Sequence, residues 1–124
     1  MVLARHLAAG LVGVAAGTAA VLVHRHVLAG LPAGLLLALL ASFATAFALR
    51  VSRAPRLTAT FAAGWVVAFG VFIAGRSEGD YAIAADVPGY VLMGGALALV
   101  LVGVTAFSRR PPRSDTRQPH KIRL

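Results

Sequence analysis

The residues of this 124-residue chain that could do chemistry are few, and they stand in three places. His24, Arg25 and His26 form the first cluster. Two histidines can ligate a metal ion, but residues two apart on a helix point about 200° from each other, so both reach one ion only where the helix has ended. The commoner role for histidines flanking an apolar run is to face water or lipid headgroups, and that is the expectation for this pair. Arg76, Glu78, Asp80, Tyr81 and Asp86, with Tyr90 just beyond, form the second cluster and hold three of the four carboxylates in the chain. Paired carboxylates suit acid/base work or cation binding, so these residues are a candidate recognition loop. Acidic loops that simply pair with neighbours such as Arg25 and Arg76 are commoner, and tyrosines at a membrane boundary fit an aromatic belt. The third place is the basic end of the chain, where Arg109, Arg110, Arg113 and Arg117 are candidate contacts to anionic lipids. Each is worth about 1 kcal/mol near a negatively charged leaflet, and the same charges also serve to fix orientation.

What is missing narrows the chemistry further. There is no cysteine, which excludes disulfides, thiolate metal sites and cysteine nucleophiles. No nucleophile, base and orienting group fall within reach of one another. The sequence therefore predicts no catalytic residue, no cofactor and no metal site, and no enzyme activity. Ion-coupled transporters hold a carboxylate, histidine or arginine at membrane depth, and the long apolar stretches here contain none. The chain accordingly does not resemble the small multidrug-resistance transporters, which rest on a glutamate in the first helix, nor the four-span fluoride channels, whose pores use asparagine.

The elements that must position these residues are set by hydropathy. Hydrophobic residues make up 59% of the chain and charged residues 13%, against about 45–50% and 25% in soluble domains. The charges are also segregated. Leu7–Val23, Leu31–Leu49, Leu57–Gly75 and Val87–Ser108 carry none, and roughly 20 apolar residues cross a hydrocarbon core of about 30 Å. The reading is an all-α integral membrane protein, a four-helix bundle over residues 1–108 with spans at about 7–27, 31–49, 57–75 and 88–107. The first span borrows His24 to Val27 to reach its boundary. Pro32 and Pro88 stand near helix starts, where a missing N–H costs nothing, and Asp86 is placed to cap the fourth helix. Arg5 before an apolar run is also a signal-peptide pattern, but three further spans favour an uncleaved first helix. Residues 109–124, proline-rich and basic, are expected to form a disordered tail.

Orientation follows from arginine. In a four-span chain the N-terminus, the second connection and the tail share one side. That side holds ten of the twelve basic residues, leaving only Arg25 and Arg76 opposite. The positive-inside rule then places both termini in the cytoplasm and the protein, multi-pass, in the cell membrane. The net charge of +8 is thus a membrane-boundary feature, and nucleic acid is not expected as a partner.

Lipid tails are as apolar as leucine, so helices associate in a bilayer through close packing of small residues. Placing residues 100° apart groups Gly13, Gly17 and Ala20 below His24 on the first helix. On the second, Gly34, Ala38, Ala41, Thr45 and Ala48 oppose Leu36, Leu39, Phe43 and Phe47. On the third, Ala63, Gly70 and Ala74 oppose Phe61, Trp65, Phe69 and Phe72. Gly94, Ala98 and Thr105 cluster on the fourth. The expectation is that the small faces turn inward, with Gly13, Gly17, Gly34, Ala38, Gly70 and Ala74 as packing positions, and that the aromatic face of the third helix meets lipid or a partner. Trp65, mid-span, then serves packing or lipid contact.

The run Gly75-Arg76-Ser77-Glu78-Gly79-Asp80-Tyr81, followed by Pro88-Gly89-Tyr90, resembles a family of small four-span membrane proteins of actinobacteria that carries only a domain-of-unknown-function label. Eleven arginines to one lysine fit a GC-rich genome. The resemblance implies location and architecture and transfers no catalytic residue. The function expected is that of a structural or accessory subunit in a membrane complex, as a homo-oligomer or with other chains. The alternative is a subunit of an oligomeric transporter or channel.

Overall fold

The computed structural model describes residues 1–52, 54–74 and 83–108. Four helices account for most of them: α1 Val2–Val23, α2 Ala33–Val51, α3 Pro55–Ile73 and α4 Val87–Ser108. At 1.5 Å per residue, 19 to 22 residues make rods of about 28–33 Å. All four are long and apolar enough to cross a membrane. Proline marks three starts, with Pro32 at the N-cap of α2, Pro55 opening α3 and Pro88 in the first turn of α4.

The first helix differs from the expected span of 7–27. It begins at Val2 and ends at Val23, because the chain must turn at once into α2. The Gly34 N–H donates to the His26 carbonyl at 2.9 Å, and a Cβ at Gly34 would collide with the carbonyl of Val23. Between them, Leu28 and Leu31 exchange two backbone hydrogen bonds of 3.0 Å around Ala29 and Gly30. Those two residues have positive φ, 52° and 80°, as a type I′ turn requires.

Helices α1 and α3 run parallel and make the most extensive contact in the bundle. A Cβ at Gly13 would strike the Phe61 carbonyl, one at Gly17 the Trp65 carbonyl, and one at Gly64 the Gly10 carbonyl. Backbone lies directly on backbone. Helix α3 touches the other three helices, whereas α1 does not touch α4 among the described residues.

This central position of α3 explains a correction. Phe61, Trp65 and Phe69, expected to face lipid or a partner, are buried within the bundle, and Trp65 stacks on Phe69 with ring centroids 5.4 Å apart. Gly70 and Ala74, expected to pack inward, are exposed, and Gly70 has nothing within 4 Å of a would-be Cβ. The cause is volume. The inner surfaces of α1, α2 and α4 present Gly13, Gly17, Ala20, Ala38, Ser42, Ala46, Ala96, Gly103 and Ala106. If α3 also turned its small face inward the centre would be empty, and interiors are close-packed. One helix must supply the bulk. The inner face of α2 is likewise rotated: Gly34 and Ala38 are buried, but Ser42 and Ala46 continue the face where Ala41 and Ala48 were expected. On α4, Gly94 is exposed and Leu92 and Leu99 join the small residues inside.

Candidate functional site

The end of α1 holds the first candidate cluster, and the structure separates its members. His24 is only 2% exposed. It continues the buried line of Gly13, Gly17 and Ala20, so its ring sits at the top of the α1 contact face. Its Nδ1–H donates to the Val21 carbonyl at 2.6 Å, and Nε2 has no hydrogen-bond partner among the described residues. The expectation that both histidines face water or headgroups is therefore corrected for His24. His26, two residues on, is exposed and contributes its carbonyl to the turn into α2.

Arg25 points from the same turn to α4. Its guanidinium donates to Asp86 Oδ2 at 2.5 Å. The other oxygen of Asp86, Oδ1, accepts the Gly89 N–H at 3.0 Å, so one carboxylate both caps α4 and ties it to the first connection. A carboxylate at a helix N-terminus is also favoured by the helix dipole. Asp86 is thereby engaged within the fold; the other members of the candidate recognition loop, Arg76, Glu78, Asp80 and Tyr81, lie outside the described residues. Tyr90 is exposed and borders a shallow apolar cavity of about 300 Å³ with Ile73, Ile83 and Met93.

At the opposite, arginine-rich end, the lipid-contact candidates Arg109, Arg110, Arg113 and Arg117 also lie outside the described residues. Arg50, in the last turn of α2, reaches across to Thr105 of α4 at 3.3 Å.

The centre of the bundle contains a polar link that sequence reasoning did not find. The Trp65 indole N–H donates to the Ser42 hydroxyl at 3.0 Å, and that hydroxyl donates to the Ala38 carbonyl at 2.8 Å. The signal was present in the spacing, since Ser42 falls one helical turn after Ala38 on α2. Thr58 is fully buried in α3, with its hydroxyl unpartnered among the described residues. On the outer side of the α3–α4 seam, Ala59, Ala63, Val66, Val100, Gly103 and Phe107 border an apolar cavity of about 360 Å³. None of these places brings together a nucleophile, a base and an oxyanion donor.

No curated protein and no solved structure matches the chain. A family of unknown function (DUF6113) matches it over residues 2–119, nearly its whole length. The chain belongs to that family of unknown function.

Proposed function

We propose that this chain is a non-enzymatic accessory or structural component of a membrane assembly, either as a homo-oligomer or beside other chains. The observation that carries this reading is the content of the bundle interior. Its buried side chains are aliphatic, aromatic or small, and the buried polar ones among the described residues are His24, Ser42 and Thr58. Ser42 is spoken for by Trp65 and Ala38. A polar pathway needs a series of facing polar groups, and these three do not supply one. What the fold offers is surface. Large aliphatic side chains such as Leu11, Leu22, Leu40 and Leu97 project outward from three helices, and α1 is covered on one side only.

The same reading places the protein in the cell membrane with both termini cytoplasmic, on the strength of the arginine distribution. The arginine-rich, lysine-poor composition supports an actinobacterial source. Cysteines introduced as Asp80→Cys and Ser114→Cys test the orientation: only the first is expected to react with an impermeant maleimide on intact cells. Crosslinking in native membranes followed by blue-native electrophoresis tests the role itself. Reproducible capture of a second copy or of one partner supports it, and a monomer under all conditions refutes it.

A second reading, a subunit of an oligomeric transporter or channel, is favoured by His24 alone. An ionisable ring withdrawn from water, with one nitrogen unpartnered among the described residues, is the kind of group a proton or ion path uses. Ion flux into liposomes holding the purified chain, abolished by His24→Leu, would establish that reading over the first.

A further inference from the structure

We infer that the arginine-side ends of α1 and α3 form a binding site for a phosphate group. Between them lies a cavity of about 310 Å³, bordered by Arg5 and His6 from the first turns of α1 and by Arg56 from the first turn of α3. Val2, Pro55 and Leu57 supply its apolar wall.

Three features make this cavity attract an anion. Two arginines border it, and a guanidinium presents paired N–H donors that match two oxygens of a phosphate. Because α1 and α3 are parallel, both of their N-termini end here, each the positive pole of a helix with roughly half an elementary charge. Among the described residues neither end is neutralised: no side chain caps either helix, and neither has an acidic residue in its first turn.

Among the described residues, no acidic side chain lies nearby. The chain has four acidic residues, Glu78, Asp80, Asp86 and Asp115. Of these only Asp86 is among the described residues, and it sits at the other end of the bundle, held by Arg25. The C-termini of α2 and α4 also end on the arginine side, with Arg50 in the last turn of α2. The anion-attracting half of this surface is therefore the α1–α3 half, where the cavity is. The site uses none of the tail arginines and is independent of the accessory role proposed above.

A phosphate can come from a lipid headgroup or from a soluble phosphate ester, and both carry the same chemistry to this cavity. The test uses the full chain. Native mass spectrometry from nanodiscs containing phosphatidylglycerol measures lipid retention, and calorimetric titration with inorganic phosphate in a sugar-detergent micelle measures the soluble form. In either arm the R5Q/R56Q variant is expected to bind roughly tenfold more weakly or worse, given the strength of charged hydrogen bonds. R25Q, at the far end, and R113Q/R117Q, in the tail, are expected to bind as the parent does. Retention of the lipid identifies a headgroup site, and binding of inorganic phosphate without lipid retention identifies a soluble phosphate site. No binding in either arm overturns the inference, as does binding that survives R5Q/R56Q or falls equally in R113Q/R117Q. Fluorescence of the single tryptophan, Trp65, reports whether each variant keeps its core. If the double substitution disturbs it, R56Q alone carries the same test.

Discussion

The indole N–H of Trp65 and the hydroxyl of Ser42 meet at 3.0 Å across the α2–α3 contact, with both side chains buried. An indole in hydrocarbon has no water to bond, so the position of one hydroxyl on α2 decides whether the central aromatic of α3 is satisfied. Ser42→Ala should lower stability in detergent by about 1–2 kcal/mol, the cost of leaving that donor unpaired. Trp65→Phe removes the donor along with the need for it and should cost less than Trp65→Ala, which opens a cavity worth about 3–5 kcal/mol. Thermal unfolding followed by circular dichroism ranks the three, and an unchanged midpoint for Ser42→Ala would refute the assignment.

The glycines of α1 and α3 are not equivalent. Gly13 and Gly17 lie against the backbone of α3, so a larger side chain at either must push the two helices apart. Gly17→Leu should destabilise the bundle by about 3 kcal/mol or more. Gly70→Leu should change stability by less than about 0.5 kcal/mol, because its Cβ would enter open space. Midpoints of detergent-induced unfolding compare the two directly.

Gly70 also shows where sequence reasoning stops. The four helices were legible because charge is excluded from their interiors, a property of each segment alone. The inner face of α1 was legible too, since Gly13, Gly17 and Ala20 are small and nothing large competes with them on that face. Helix α3 presents two coherent faces, one small and one aromatic, and either could turn inward. The choice depends on how much volume α1, α2 and α4 leave at the centre, which no single helix encodes. The burial of His24 was within reach: its ring follows Ala20 by one turn on the small-residue face of α1, but histidines flanking an apolar run more often face water or headgroups. Asp86 as a helix cap, by contrast, was readable from its place just before Val87 and Pro88.

Asp86 performs two tasks that substitution can separate. Its pair with Arg25 is half-exposed, with the side chains 52% and 41% accessible, so screening limits it to at most about 1 kcal/mol. Its cap on Gly89 should contribute about as much. Asp86→Asn keeps a capping oxygen and loses the charge, whereas Asp86→Ala loses both, so the alanine variant should be the less stable of the two. A double-mutant cycle with Arg25→Gln isolates the ion pair. A coupling energy indistinguishable from zero would show that the contact between the first connection and α4 rests on packing.

Among the described residues, the turn at Ala29 and Gly30 is the one place where backbone conformation works against residue type. Ala29 holds φ at 52°, a region that costs an L-residue with a Cβ roughly 1–2 kcal/mol. Glycine there would relieve the strain but would also enlarge the freedom of the unfolded chain, offsetting up to about 1 kcal/mol of the gain. Asparagine tolerates the left-handed region with less freedom to lose, so Ala29→Asn should raise stability more than Ala29→Gly. Gly30→Val should lower it by about 1–2 kcal/mol, since a β-branched residue at φ 80° is strained whatever space surrounds it. Thermal unfolding of the three variants gives the order. If Gly30→Val proved neutral, the Leu28–Leu31 pairing would not be what closes α1 onto α2, and the close seat of Gly34 on the Val23 carbonyl would have to hold that corner unaided.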